Sequence, residues 1–387
     1  MMKQHRPQPE RCVDHDPPPP GTGRGTAHHP DGGRRGRTEA PTRASRRNRG
    51  RIGVVSAVVA LLALTACTGD PGRIERTEAG LARLAIDFSP TANNAQLTLG
   101  VERGIFARHG IEIDQRPGTG ASAGAVALLL NGQIQLAVSE ITAIPTAAAN
   151  GFDVDVVTSL AVDYETPAGD ASALVVPETS PIRSFADLEG RTVAVNGLRS
   201  FFDLTVLEAV RLDGGDPERV SVVAIPFEDQ VAALRQGRVD AISTLQPFAG
   251  VLTRDGFRSV GNPAAAALGP HSVTTVLMGA GEFVEANPDV VRRFLTALAE
   301  AGRYANEHPD EVRRTIIETT GAPAEAIAQM PVPWYITGIQ RPAAERTVDL
   351  MARYGRIDDR LPLGEFVWAG SPDATLTEPP RDLAVTR

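Results

Sequence analysis

From Leu81 onward the chain alternates short apolar runs with segments of helical period, a pattern that commits it to an α/β architecture. Strands are predicted over Leu81–Phe88, Ile111–Arg116, Gln133–Ser139 and Val154–Val162. Between them fall a helix over Asn93–His109, closed by Gly110, and a helix over Ala123–Leu130, entered through the loop Gly118–Ser122. A second unit follows the same alternation, with strand Ala173–Val176, short helix Ser184–Glu189, strand Thr192–Asn196, helix Phe201–Leu212, strand Ser221–Ile225, helix Glu228–Gln236 and strand Ala241–Gln246. The last third is helical. Its segment Pro288–Glu307 gathers Val290, Val291, Phe294, Leu295, Leu298 and Ala305 on one face, with charges opposite. Residues 358–387 read as irregular.

The first 66 residues belong to none of this. Residues 1–50 are rich in Pro, Gly and Arg and poor in apolar side chains, which reads as disorder. A basic stretch, Arg43 to Arg51, then precedes the apolar run Gly53–Ala66 and Cys67. Fourteen residues fall short of the roughly 20 that span a bilayer as a helix, and the order of charge, apolar run and small residues is that of a bacterial secretory signal. Leu64-Thr65-Ala66-Cys67 resembles a lipobox, which implies cleavage before Cys67 and acylation of its thiol. A mature chain starting there has 27 basic and 42 acidic residues, every basic one an arginine. That balance argues against nucleic acid as a partner and makes the acyl chains, not the surface, the attachment to membrane. With Cys67 its only thiol, the mature chain forms no internal disulfide and depends on its core.

Two segments echo one another. Leu130–Ser139 and Leu234–Ser243 each run from a helix end through a glycine suited to a left-handed cap into a strand ending in serine. Either two similar lobes each use this turn once, or two unrelated turns use common chemistry.

The order of several motifs resembles a known family. Pro90-Thr91-Ala92-Asn93-Asn94-Ala95-Gln96, Val101–Phe106, Gly110–Ile113, Gly118–Ser122, Leu130–Val138, Pro145–Gly151, Val195-Asn196-Gly197, Ala232–Ala241 and Gln246-Pro247 together cover most of residues 82–310. They are similar to the substrate-binding lipoproteins of ABC importers that include nitrate, taurine, aliphatic-sulfonate and thiamine-pyrimidine-precursor binders. The resemblance implies a two-lobed type II periplasmic-binding-protein fold with the ligand cleft between the lobes. Lobe one would comprise residues 82–163 plus 272–357 and lobe two residues 172–261. The crossovers would lie near Ala161–Ser172 and Gly261–Val276, and the hinges near Val162–Tyr164 and Gly261–Ala264. It also implies a monomer on the outer face of the bacterial cytoplasmic membrane. That monomer would hand a small solute to a permease and its ATPase, without a cofactor.

In such a fold, strand ends lead into helix N-termini whose free N–H groups favour acceptors and anions. Pro90–Asn94, Gly118–Ser122 and Asn196–Ser200 are the three converging places, with Gly118, Gly120 and Gly197 allowing close approach. The candidate ligand contacts are Asn93, Asn94, Thr119, Ser122, Glu140, Asn196, Arg199, Ser200, Phe201 and Gln246. Asn93, Asn94, Ser122 and Ser200 serve equally as helix caps, and Arg199 is either a solvated charge or a clamp on a sulfonate or carboxylate. Glu140, if it faces the cleft, argues for a ligand with N–H donors. Tyr164, Phe201, Phe202, Phe248 and Trp334 could stack on a ring. No spacing suggests a metal site.

Pro90 and Asn93 match the loop of the pyrimidine-precursor binders, while Asn94 stands where that loop has histidine. Arg199 suits a sulfonate instead, so both ligand classes stay open. Fungal relatives that build the pyrimidine need a lysine, and Lys3 is the only one in this chain. The chain is therefore expected not to be an enzyme. A lipid-anchored scaffold without transport is the remaining alternative.

Overall fold

A computed structural model describes residues 72–118, 122–162, 172–328 and 330–376, with backbone only at 122, 123 and 254. All of them belong to the unit Leu64–Arg387. The leader, Cys67, Thr119, Gly120, Tyr164 and the last eleven residues lie outside the described residues.

The first sheet is built from β1 (Glu75–Arg76), β2 (Ala82–Phe88), β3 (Ile111–Pro117), β4 (Leu136–Glu140) and β5 (Val154–Ser159). Helices α1 (Ala95–Glu102), α2 (Ile105–Arg108), α3 (Ser122–Leu130) and α4 (Ala143–Ala149) carry the chain between its strands. β2 pairs in parallel with β3 and β4 and is buried at six of its seven positions, as expected of a strand covered on both faces. The helix predicted over Asn93–His109 is broken: a 3-10 turn (Ala92–Asn94) precedes α1, and Gly104, at φ +63°, separates α1 from α2. A left-handed residue ends the run of helical hydrogen bonds, which periodicity alone does not reveal.

The chain then passes through the short strand β6 (Ala161–Val162) to β7 (Ser172–Pro177) and the second sheet. There β8 (Thr192–Val195), α5 (Phe201–Leu212), β9 (Ser221–Ala224), α6 (Phe227–Arg235), β10 (Ala241–Leu245), α7 (Phe248–Arg254), β11 (Phe257–Gly261) and α8 (Pro263–Leu268) follow in turn. It returns with β12 (Thr275–Ala280), which re-enters the first sheet between β4 and β5.

The two sheets have the same topology. The order is β3-β2-β4-β12-β5 in one and β9-β8-β10-β7-β11 in the other. In each, the strand that has just crossed over lies antiparallel between the third and fourth strands of the lobe. The echoed turns occupy equivalent places. Gly132 (φ +65°) leads from α3 towards β4, and Gly237 (φ +66°) from α6 towards β10. Gln135 donates its backbone N–H to Ala85 O and accepts Ala85 N–H on Oε1, both at 2.9 Å. Asp240 makes the same pair of bonds to Thr192, at 2.9 and 2.8 Å. The third strand of each lobe is thus clamped to the first by one acceptor side chain. The echo marks a repeated lobe.

After β12 come α9 (Gly281–Ala286), α10 (Pro288–Glu307), α11 (Pro309–Thr320), α12 (Ala324–Ile327), β13 (Trp334–Tyr335) and α13 (Arg341–Arg353). α10 lays its apolar stripe on the first lobe, where Phe294 stacks on Phe106 at 5.5 Å. β13 pairs with β6, at the exit to the second lobe. Residues 358–376 contain only the 3-10 turn Leu363–Glu365, yet Phe366, Val367 and Trp368 are buried, and Val367 bridges to Val156 of β5. Burial of that apolar triplet pins the segment to the first lobe. One core cluster runs from the first lobe to Val195, Phe201, Phe202 and Leu245 of the second, so the lobes meet through apolar contact.

Candidate functional site

The ends of β4 and β8 and the start of α1 bring a polar cluster together where the lobes meet. Glu140 is the last residue of β4 and sits opposite Thr275 in the β4–β12 ladder. Its carboxylate reaches into the second lobe. Oε1 accepts from Asn196 Nδ2 at 2.6 Å and Oε2 accepts the backbone N–H of Phe201, first residue of α5, at 2.9 Å. Burial pushes the Glu140 carboxyl above the usual carboxylate range, and these two donors pull back only part of that rise. On the other side of the ladder, Asn93 donates from Nδ2 to Thr275 Oγ1 at 3.3 Å. Asn93, Glu140, Asn196 and Phe201 therefore meet in one place, with Thr275 linking the first two.

Gln96 stands beside this group and is fully buried. It donates from Nε2 to Leu160 O at 3.1 Å, and Leu160 in turn donates its N–H to Thr275 O. Gln96 Oε1 and Asn196 Oδ1 are buried acceptors without a partner among the described residues. Thr275 and Gln96 escape a sequence reading because nothing in their local sequence distinguishes them from the polar residues beside them.

The remaining candidates are placed differently. Asn94 brackets its own loop, accepting Thr91 N–H at 2.9 Å and donating to Ser89 O at 3.0 Å. Ser200 caps α5, taking Asp203 N–H at 3.2 Å. Arg199 adopts φ +62°, its N–H is held by Asp203 Oδ2, and its guanidinium donates to the carbonyls of Gly355 and Arg356 at the end of α13. Arg356 completes that knot with a 2.7 Å ion pair to Asp203. Gln246 precedes the cis peptide to Pro247 and accepts Gly250 N–H at 3.1 Å. Thr119 lies outside the described residues, and Ser122 opens α3 with its side chain not described. Gly118 has no space for a Cβ, which would meet Ser89 Oγ at 2.3 Å, whereas Gly197 is open.

An aromatic row lines the second lobe beside the cluster. Phe201 meets Phe202 edge-on, Phe202 meets Phe227 edge-on at 5.1 Å, and Phe227 stacks on Phe248 at 6.1 Å. Phe201, Phe227 and Phe248 are each the first residue of their helix, so all three stand at the carboxyl-terminal edge of the sheet. Among the described residues no His/Cys/Asp/Glu group could hold a metal ion, and no helix is long and apolar enough to cross a membrane.

This architecture is shared with solved structures. The alkanesulfonate-binding protein SsuA from Xanthomonas axonopodis pv. citri, bound to MOPS, superposes with a TM-score of 0.61 at 21% identity, covering 74% of this chain and 98% of that one. The periplasmic aliphatic sulphonate binding protein SsuA from Escherichia coli gives 0.61 at 22%, covering 74% and 97%. The desulfurization enzyme DSZB has the same fold, at 0.54 and 20%, covering 74% and 96%. The chain therefore has the two-lobed α/β fold of periplasmic binding proteins, a fold that also carries catalysis. In sequence, it is 24% identical over 236 residues to an aliphatic sulfonates-binding protein of Escherichia coli (strain K12), covering 58% of this chain and 70% of the relative. The profile of the NMT1/THI5-like family matches residues 91–312, more than half of the chain, which belongs to that family.

Proposed function

We propose that this chain is the solute-capturing component of an ABC importer, taking a small polar organic molecule between its lobes and delivering it to a permease. One observation carries the reading. Glu140 of the first lobe accepts from the Asn196 side chain and the Phe201 N–H of the second, where an exchange of partners can open or close the cleft. A solute that bonds both Glu140 and Asn196 favours the closed arrangement, and closure follows from that difference in affinity. The kinship with proteins named for sulfonate binding supports solute capture, and sulfonates, taurine, nitrate and pyrimidine precursors are the classes to test. The cluster consists of a carboxylate, amides, a hydroxyl and backbone N–H groups, which suits binding more than turnover. Residues 82–163 with 272–357 would move as one lobe against 172–261, working as a monomer. Acyl chains on Cys67 would hold it on the outer face of the membrane.

A thermal-shift screen of the full chain against those four classes tests the reading. A ligand at a hundred times its dissociation constant adds about 2.7 kcal/mol, a readily visible shift. Absence of any shift, with every class at millimolar concentration, would contradict it and leave the lipid-anchored scaffold.

A further inference from the structure

Resting on that reading, we infer that Glu140 sets the charge class of the solute: the cleft takes molecules that bring N–H donors, such as amines, amidines or amides, and turns away sulfonates, nitrate and other bare anions.

Among the described residues at the junction, most first-turn donors of α5 are in use, while two buried acceptors are left over. An anion held at a helix start needs N–H groups with nothing else to bond. Two of the three first-turn N–H groups of α5 are already used, Phe201 by Glu140 and Asp203 by Ser200. Ahead of α1, Thr91 N–H goes to Asn94 Oδ1, Asn94 N–H to Thr91 O and Ala95 N–H to Ala92 O. Arg199, the one cation at either loop, is committed to the carbonyls of Gly355 and Arg356. In place of an anion from solution, α5 holds the carboxylate of Glu140.

The acceptors are in the opposite condition. Glu140 has only acceptor oxygens when ionised, which fixes the Asn196 amide with its NH2 towards Glu140 and its Oδ1 away. Among the described residues, that Oδ1 is buried without a donor. Leu160 O fixes the Gln96 amide in the same way and leaves Gln96 Oε1 buried, likewise without a donor among them. Each carboxylate oxygen of Glu140 also keeps capacity for a further bond. Buried acceptors lacking donors cost free energy until something supplies them. A solute with N–H groups does so, and a positive charge on it gains further from Glu140. An anion would instead bring a second negative group against a carboxylate already short of solvation.

Calorimetric titration of the full chain with four probes decides the matter: benzamidine and 4-aminopyrimidine as donors, ethanesulfonate and nitrate as anions. The expected result is binding of a donor probe and none of either anion, with Glu140→Gln weakening the donor probe tenfold or more. Binding of ethanesulfonate or nitrate as tightly as the donors, or an unchanged donor affinity in Glu140→Gln, overturns the inference and leaves solute capture standing. The probe comparison uses the unaltered chain, so it holds even if the variant does not fold. A hit from the wider screen is read by the same rule, an anion counting against and a donor for. A chain that binds no solute at all overturns the capture reading and this inference together.

Discussion

Glu140 ends a strand of one sheet and Asn196 follows a strand of the other, yet Glu140 Oε1 and Asn196 Nδ2 lie 2.6 Å apart. The bond joins the end of the first lobe's third strand to the end of the second lobe's first strand. With Phe201 N–H on the other oxygen, one carboxylate spans the junction.

Glu140 is buried as an ionisable group at a cost to stability. Burial raises its carboxyl above the ordinary value, so the folded state holds this proton more tightly than the unfolded chain. Its contribution is complete in acid, below the unfolded value, and is lost as pH rises through the raised folded one. Glu140→Gln removes that dependence. Melting curves taken from acid upward are expected to show the variant gaining on the parent as pH rises, while its solute affinity falls.

Glu208 holds α13 against α5. Its buried carboxylate accepts two 2.7 Å bonds from Arg211, one of 2.6 Å from Arg353 and one of 3.1 Å from Tyr354 Oη. Burial alone would lift its pKa, but these donors outweigh burial and hold it below the usual range. Stability from this group is therefore present above the unfolded value and lost as pH falls through the folded one. Both arginines are about half exposed, which limits the loss on Glu208→Ala to about 1–2 kcal/mol at pH 7. The difference should shrink in acid, as read from urea melts at pH 7 and pH 3.

Asp155 on β5 gives the opposite slope. Burial, with Asp153 and Glu285 nearby, raises its pKa to about 6. Asp155→Asn should stabilise the chain above pH 6, by about 1 kcal/mol once the group's partial exposure is allowed for. That gain should fade towards pH 4. Thermal melts across this range check both the sign and the fading.

Two glycines read alike in sequence and differ in structure. A Cβ at Gly118 would meet Ser89 Oγ at 2.3 Å and Ser89 N at 2.6 Å, so Gly118→Ala should cost about 1–3 kcal/mol by displacing the loop after β2. At Gly197 the nearest atom is Ser200 Cβ at 3.9 Å. Gly197→Ala should melt within a degree or two of the parent.

What the sequence displays is what local pattern can encode. β2, α5 and α10 stand close to their predicted bounds because β2 is a short apolar run, α5 starts at the Ser200 cap and α10 carries an apolar stripe opened by Pro288. The echo pointed to a repeated lobe because Gly132 and Gly237 do the same job before the same strand. The break at Gly104 was hidden because the apolar period continues through it into Phe106. At the site, Asn93, Glu140, Asn196 and Phe201 could be suspected from their places at strand ends. Arg199 could not be resolved, since its carbonyl partners lie some 156 residues further on. Thr275 joins the cluster through the return of β12 and Gln96 through Leu160 beyond β5, contacts no local pattern announces.

That the Glu140 junction is where a solute is captured is tested most directly by hydrogen exchange with and without a hit from the thermal-shift screen. Capture at the junction predicts added protection confined to residues 89–96, 139–141, 195–202 and 273–276, drawn from both lobes at once. Protection elsewhere, or in one lobe alone, would contradict it.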